Sequence, residues 1–97
     1  MGKAGSQLKL MPEKLLLIRE YLNVSQSAMA QLLGLPEIGS VSKYETGVCE
    51  PDLILTLAYS RLGKVSMASV IDDDVSVNEF REQLGTYDLA IFENVIL

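Results

Sequence analysis

Apolar side chains recur every three to four residues along most of the chain, in short stretches separated by brief polar breaks. This is the spacing of an amphipathic helix, which lays one face against a core. The first stretch begins at Pro12, a residue favoured in the first turn of a helix. The second covers 26–33, between Ser25, whose hydroxyl can cap a helix, and Gly34, a common helix stop. The pattern therefore predicts two consecutive short helices.

Three more helices are predicted from their start and stop residues. Pro36 disfavours helical geometry in the residue before it and can itself open a helix, so we expect a third helix over about 37–46. A fourth helix should open after Pro51, and a short fifth helix after Ser66. Five short helices with small gaps are typical of a compact all-α domain, which we place at residues 11–74.

Both ends of the chain lie outside this predicted domain. Residues 1–10 are interpreted as a disordered N-terminal arm. The acidic run 72–74 is interpreted as a solvated hinge, and Ser76 with Glu79 three residues later forms a capping-box pattern that predicts another helix. The extension 75–97 ends in an apolar segment that fits a helix by its spacing and a strand by its β-branched residues, with a slight preference for a helix followed by a strand.

The apolar end of the extension is the second informative feature of the sequence. Because apolar surface is rarely left in water, we expect this segment to form a homodimer surface. The alternative is that it folds back on its own domain. The side chains predicted at the dimer surface are Phe80, Leu84, Ile91, Phe92, Val95 and Ile96.

One stretch combines polar, small and glycine positions in a specific order. It reads Ser25-Gln26-x-x-Met29-Ala30-x-x-x-Gly34, followed by Val41-Ser42-Lys43-Tyr44-Glu45-x-Gly47 and then Pro51. This pattern resembles the Xre-type regulators, the phage Cro/C1 repressor-like helix-turn-helix family, over about residues 12–71. It departs from the common form in one respect, since the turn before Val41 holds one residue more. The resemblance implies a sequence-specific transcriptional regulator that binds double-stranded DNA as a homodimer.

A helix-turn-helix pair sets geometric requirements that this stretch meets. Two helices that cross steeply need a small residue at the crossing, which is Ala30, and a helix stop at the turn, which is Gly34. The third helix can then lie in the major groove while the second crosses the phosphate backbone. Gln26 can bring its amide and the unpaired N–H groups of the second helix to a phosphate, and the alternative is an ordinary exposed polar residue.

The resemblance also implies a set of structural residues around the third helix. Glu45 is expected to tie this helix to the first one through an ion pair with Arg19. Tyr44 is expected to be partly buried, and Gly47 ends the helix. The predicted structural residues are Arg19, Ala30, Gly34, Tyr44, Glu45 and Gly47.

The outward side of the third helix supplies the expected contacts to DNA. Ile38 can pack on a thymine methyl group, and Lys43 can reach a guanine or a phosphate. For two of these residues an ordinary structural role has as much support as a DNA contact. Ile38 would then belong to the core, and Ser40 would be an ordinary helix cap. The backbone amides of 46–48 are a further candidate phosphate site. The predicted DNA-binding residues are Gln26, Ile38, Gly39, Ser40, Ser42, Lys43 and Thr46.

Charge is unevenly distributed along the chain, although its sum is −5. Residues 1–64 hold seven basic and six acidic side chains, a net charge of +1, and residues 65–97 hold one basic and seven acidic side chains, a net charge of −6. Lysine and arginine supply most non-specific affinity for DNA. We therefore expect modest affinity for each monomer. The weak basic balance also leaves open an alternative function, a protein-interaction module such as an antitoxin or regulator partner that binds through the C-terminal segment.

Composition excludes other classes of function. The chain has no histidine and a single cysteine, Cys49, which we expect to be inert. It therefore lacks a zinc site of the usual spacing, and it shows no set of catalytic acid, base and nucleophile. We expect no enzyme activity, no cofactor and no metal. No apolar run approaches the roughly 20 residues of a membrane-spanning helix, and no secretory signal is visible, so we expect a cytoplasmic protein with no membrane partner.

Overall fold

The structure, a computed structural model, describes residues 8–87, which are folded into α-helices and connecting turns without a strand in that range. The all-α prediction is confirmed. The helices described are α1 (Met11–Leu22), α2 (Gln26–Leu33), α3 (Gly39–Thr46), α4 (Leu53–Leu62), α5 (Met67–Ile71) and α6 (Val77–Gln83).

Side-chain caps start most of these helices where the sequence predicted. Ser25, Asp52, Ser66 and Ser76 each accept a hydrogen bond from a backbone N–H in the first turn of the helix that follows. The capping box at α6 is complete, because Glu79 also accepts from the Ser76 N–H. These caps satisfy donors that a helix N-terminus otherwise leaves unpaired, so the four helix starts are fixed locally.

Helix α3 starts at Gly39, two residues later than the sequence predicted. No side chain caps it. Its first turn has long backbone hydrogen bonds between residues three positions apart, from Ser40 N to Glu37 O at 3.3 Å and from Val41 N to Ile38 O at 3.4 Å. Pro36 thus opens a turn instead of a helix, because no capping residue follows it.

The core is built around α1, which packs against α3, α4, α5 and α6. Tyr59 of α4 and Phe80 of α6 are its largest fully buried aromatic residues. The core therefore continues through α6, beyond the boundary placed at residue 74. The other fully buried apolar residues include Leu15, Ile18, Met29, Val41 and Val70.

A buried lysine, Lys14, links α1 to the end of α5 and the residue that follows it. Lys14 is fully buried, and its Nζ donates to Ser69 O and Asp72 O at 2.8 Å each. The ammonium group also lies 5.5 Å from the centroid of the Phe80 ring, a cation–π distance. Burial lowers the pKa of Lys14, although Asp73 and Asp72 act in the opposite direction. Lys14 thus holds the segment between α5 and α6 against α1.

The acidic run 72–74 is not a simple solvated hinge, which corrects the sequence interpretation. Asp73 accepts from Lys9 N at 3.0 Å and from Leu10 N at 3.1 Å, so its carboxylate fixes the backbone that enters α1. These two backbone hydrogen bonds lower the pKa of Asp73. Leu8 N donates to Glu50 at 2.9 Å. Residues 8–10 of the predicted arm are therefore tied to the domain, while residues 1–7 lie outside the described range.

The phenol of Tyr59 leads to a prediction about pH. Its hydroxyl is buried without a hydrogen-bond partner among residues 8–87, and burial raises the pKa of Tyr59 well above its ordinary value near 10. Above pH 10 the unfolded chain loses this proton first, so the free energy of unfolding should fall as pH rises. Because Tyr59→Phe has no proton to lose at this position, its free energy of unfolding should fall with pH less steeply than that of the wild type, by up to about 1.4 kcal/mol per pH unit.

Urea unfolding of the wild type and Tyr59→Phe between pH 8 and 11 measures the difference between the two slopes. At pH 7 the variant should be at least as stable as the wild type, because it removes an unpaired buried hydroxyl. Parallel pH curves for the two proteins would contradict the prediction.

Candidate nucleic-acid interface

Helices α2 and α3 pack against each other, and α2 carries a small buried residue, Ala30. Ala30 is buried at 2% exposure, and α2 ends at Gly34, whose φ of 71° is the left-handed conformation that glycine adopts without strain. Leu35 N then donates back to Ala30 O at 2.9 Å, which closes the end of the helix. Val41 anchors the inner face of α3 in the core. The helix stop at Gly34 lies where the sequence predicted it.

A side-chain network fixes the orientation of α3. Arg19 of α1 binds Glu45 of α3 through two hydrogen bonds, from Nε to Oε2 at 2.6 Å and from Nη2 to Oε1 at 3.1 Å. Gln26 Nε2 donates to the same Glu45 Oε1 at 3.0 Å, and Arg19 Nη1 donates to Val24 O at 3.0 Å. One carboxylate therefore links the first three helices.

Burial makes this network a structural element. The side chain of Glu45 is 5% exposed and that of Arg19 is 19% exposed. The hydrogen bonds that Arg19 donates to the Glu45 carboxylate raise the pKa of Arg19. A two-pronged guanidinium–carboxylate contact is among the most directional in proteins, so it sets the angle of α3 as well as its position.

The opposite side of α3 is open. Ile38 is 58% exposed, so the alternative that it belongs to the core is wrong. Gly39 and Lys43 are also exposed, while Ser40 and Ser42 are half-buried. The side chain of Ser40 makes no cap hydrogen bond at the start of α3, which is preceded by Ile38 at the cap position. The structure thus brings Ile38, Gly39, Ser42 and Lys43 onto one side of α3, and Ser40 lies off this side.

Comparison with solved structures finds the P22 c2 repressor protein, determined in complex with synthetic operator 9T in the presence of Tl+. The two chains superpose with a TM-score of 0.60 and 26% sequence identity, over 68% of this chain and 98% of that chain. The protein has a Cro/C1-like repressor fold. Comparisons with protein families and with curated proteins find no match.

The end of α3 in this Cro/C1-like fold differs from the sequence prediction. The N–H groups of Val48 and Cys49 both donate to Lys43 O, at 2.9 and 3.2 Å, and Gly47 N lies 3.4 Å from Tyr44 O. These amides close the C-terminus of the helix, so the prediction that backbone amides of 46–48 form a phosphate site is wrong for the amides of 47 and 48.

The hydroxyl of Thr46 is also used within the Cro/C1-like scaffold. Its hydroxyl donates to Ser42 O at 2.8 Å, which uses the one proton that a threonine side chain carries. A phosphate offers only acceptors. Thr46 would have to break this bond before it could donate to a phosphate.

Gln26 contacts the scaffold and is also partly exposed. Its amide donates one hydrogen to Glu45, and its side chain is half-buried at the first position of α2. The remaining amide hydrogen and the unpaired first-turn N–H groups of α2 are the donors that this end of the helix offers to an anion. The sequence pattern predicted the donor role but missed the bond to Glu45, which lies 19 positions away.

Free positive charge is scarce around the Cro/C1-like helix pair. Lys14 is buried and Arg19 is paired, so neither contributes a free cation, although both entered the count made from sequence. Lys43 is the one basic residue on α3, and Glu37 is exposed just before that helix. Residues 8–87 contain no cluster of potential metal ligands and no helix of the length and apolarity needed to cross a membrane.

Proposed function

We propose that the chain is a sequence-specific DNA-binding transcriptional regulator that works as a homodimer with α3 in the major groove. The observation that carries the proposal is the two-sided character of α3. Its inner side is locked by Val41 and Glu45, and its outer side presents Ile38, Gly39 and Lys43, which no other part of residues 8–87 buries. A groove about 12 Å wide accommodates such a helix. The likeness to a repressor determined in complex with an operator supports the same conclusion.

Each outward residue has a distinct chemical role in this proposal. Ile38 packs on a thymine methyl group, and Ser42 donates to or accepts from a base edge. Lys43 contacts a guanine or a phosphate. Gly39 permits close approach of the backbone, and Gln26 with the N-terminus of α2 binds a phosphate. With one cation and one apolar side chain at its centre, such a surface relies on DNA shape as well as on direct contacts.

Selection of bound fragments from random DNA tests the proposal directly. A palindromic consensus with half-sites about one helical turn apart is the expected result, because a symmetric dimer presents two copies of α3. Affinity for the selected site should fall with salt concentration. Failure to enrich any sequence, together with an affinity that does not change with salt, would contradict the proposal.

Lys43→Ala should weaken operator binding about tenfold and reduce the slope of log affinity against log salt by about one. The lost contact is electrostatic, and Lys43 makes no side-chain ion pair within the described residues. Lys64→Ala is the matched control, because Lys64 is an exposed lysine in the loop after α4. Fluorescence anisotropy at several salt concentrations gives both quantities. Equal losses in the two variants would remove Lys43 from the interface.

The predicted dimer surface is retained in the proposal only in part. Phe80 is fully buried within one chain, which corrects its assignment to a surface between chains. Leu84 is half-buried and packs against the same core. The predicted surface residues Ile91, Phe92, Val95 and Ile96 lie outside the described range, and their role in dimerisation remains a proposal.

A second candidate function, a protein-interaction module, is favoured by the near balance of charges around α3. Lys43 faces the surface with the acidic Glu37 and Glu50 on neighbouring segments. In this case the random-DNA selection yields no consensus, and the protein instead co-purifies with a partner that Lys43→Ala leaves bound.

A further inference from the structure

Gly39, at the start of α3, differs from the other glycines of the domain. Residues 8–87 contain five glycines, and four of them have a structural reason. Three have a positive φ, which a residue with a side chain rarely adopts, and at the fourth a β-carbon would lie 2.9 Å from the side chain of Ile18. In that order, these four are Gly34, Gly47, Gly85 and Gly63. Gly39 has neither feature, so the fold gives no reason for a glycine at this position.

The space beside the Gly39 Cα is open. Apart from its two chain neighbours and the backbone of α3, a β-carbon there would meet no heavy atom of residues 8–87 within 4 Å. Gly39 is helical and exposed. Because a glycine loses more conformational freedom on folding than an alanine does, its presence in the first turn of α3 lowers the stability of the domain. A contact outside the chain explains a glycine that costs stability and relieves no contact within the chain.

The residues around this space make it apolar on one side. Ile38, which directly precedes Gly39, is 58% exposed. Ser42 and Lys43 follow Gly39 by three and four positions, which places them on the same face of α3. Side chains on a helix lean toward its N-terminus, so both lean toward Gly39. The outward side of α3 therefore has a recess with the Gly39 backbone at its floor and the Ile38 side chain at its edge. We call this space the Gly39 recess.

We propose that the Gly39 recess receives the C5-methyl group of a thymine, which makes Gly39 a specificity-determining residue of the interface. Base edges in the major groove present hydrogen-bonding atoms and one apolar group, the thymine methyl. This methyl group matches a space that lacks a side chain and is bordered by an aliphatic one. The inference rests on the proposed function and deepens it, because it names the base that the start of α3 selects. Ile38 and Gly39 then contact the same thymine, Ile38 with its side chain and Gly39 with its backbone.

Gly39→Ala should change stability and DNA binding in opposite directions. The added methyl group meets nothing in the domain and restricts the unfolded chain, so the midpoint of thermal unfolding should rise by about 2–5 °C. In the complex with the selected operator the same methyl group occupies the place of the thymine methyl, so affinity should fall about tenfold. Asn78→Ala, at an exposed position on α6, is the control and should leave the affinity unchanged. A Gly39→Ala variant with a lower unfolding midpoint, or with the affinity of the wild type, would overturn the proposal.

Operators with deoxyuridine in place of thymine identify the group that occupies the Gly39 recess. Deoxyuridine pairs with adenine as thymine does and lacks only the methyl group. When each thymine of the half-site is replaced in turn, one replacement should weaken wild-type binding about fourfold, the value of one buried methyl group. The same replacement should strengthen the binding of Gly39→Ala, because it removes the group with which the alanine collides. Replacements that affect both proteins equally at every thymine would overturn the proposal, since no methyl group would then lie at Gly39.

The experiments distinguish a failure of this inference from a failure of the proposed function. If selection from random DNA enriches no sequence, the proposed function is refuted, and the thymine contact is refuted with it. If the wild type selects an operator that Gly39→Ala binds equally well, only the thymine contact is refuted and the proposed function stands. A loss of affinity in Gly39→Ala that deoxyuridine reverses at one position supports both.

Discussion

Replacing Glu45 with alanine is expected to lower the free energy of unfolding by about 3 kcal/mol, the cost of breaking a buried ion pair from one side. The carboxylate accepts hydrogen bonds from Arg19 and from Gln26 and is nearly inaccessible to water. Its removal leaves a guanidinium group in a largely buried place without its partner. Urea unfolding monitored by circular dichroism measures the loss.

Two comparisons separate the ion pair from general effects of substitution. Glu82→Ala removes an exposed carboxylate from α6 and should change stability by less than about 0.5 kcal/mol. Arg19→Met combined with Glu45→Ala should cost less than the sum of the two single substitutions, because the double variant leaves no buried charge unpaired. Additive losses would show that the two side chains do not interact in solution.

Phe80→Ala is expected to lower the free energy of unfolding by about 4 kcal/mol. The ring is fully buried against the core and lies under the ammonium group of Lys14, so truncation opens a cavity and removes the cation–π contact. For a domain of this size, such a loss is a large share of the roughly 5–15 kcal/mol of total stability. Thermal unfolding should show the lower midpoint directly.

The same variant tests where the domain ends. Asn78→Ala, an exposed position on the same helix, should be nearly neutral. If Phe80→Ala unfolded like the wild type, α6 would not be part of the core and the domain would end before residue 75. A loss that depended strongly on protein concentration would instead place Phe80 between two chains, as the sequence pattern predicted.

Local signals account for what the sequence predicted correctly. The caps at Ser25, Asp52, Ser66 and Ser76 each act on the residue three positions away, so they can be read from the sequence itself. The Arg19–Glu45 ion pair joins residues 26 positions apart. It was anticipated through the resemblance to a known family rather than from spacing.

The remaining features depend on contacts between distant parts of the chain. Lys14 meets its carbonyl partners 55 and 58 positions away, and Asp73 meets the backbone that enters α1 at 63 and 64 positions. In the sequence, Lys14 reads as a surface cation and 72–74 as a solvated run. Neither local charge nor periodicity indicates that the two will meet.

At the candidate interface, sequence reasoning identified positions but not how each donor is used. Thr46 and Val48 carry suitable hydrogen-bond donors, and the structure shows that both donate to carbonyl groups within the end of α3. Gln26 divides its amide between Glu45 and the surface. Whether a donor is free depends on helix termini and side-chain rotamers, which residue type alone does not determine.

The residues that hold α3 in the fold are different from those that face outward. Val41 and Glu45 hold the helix, while Ile38, Gly39 and Lys43 contribute little to the core. Substitutions at the outward positions therefore carry a small cost in stability and can accumulate in duplicated copies of the gene. Under the proposed function, a change of a few codons at these positions would alter which operator the protein selects, and an engineer could exchange the same positions as a cassette.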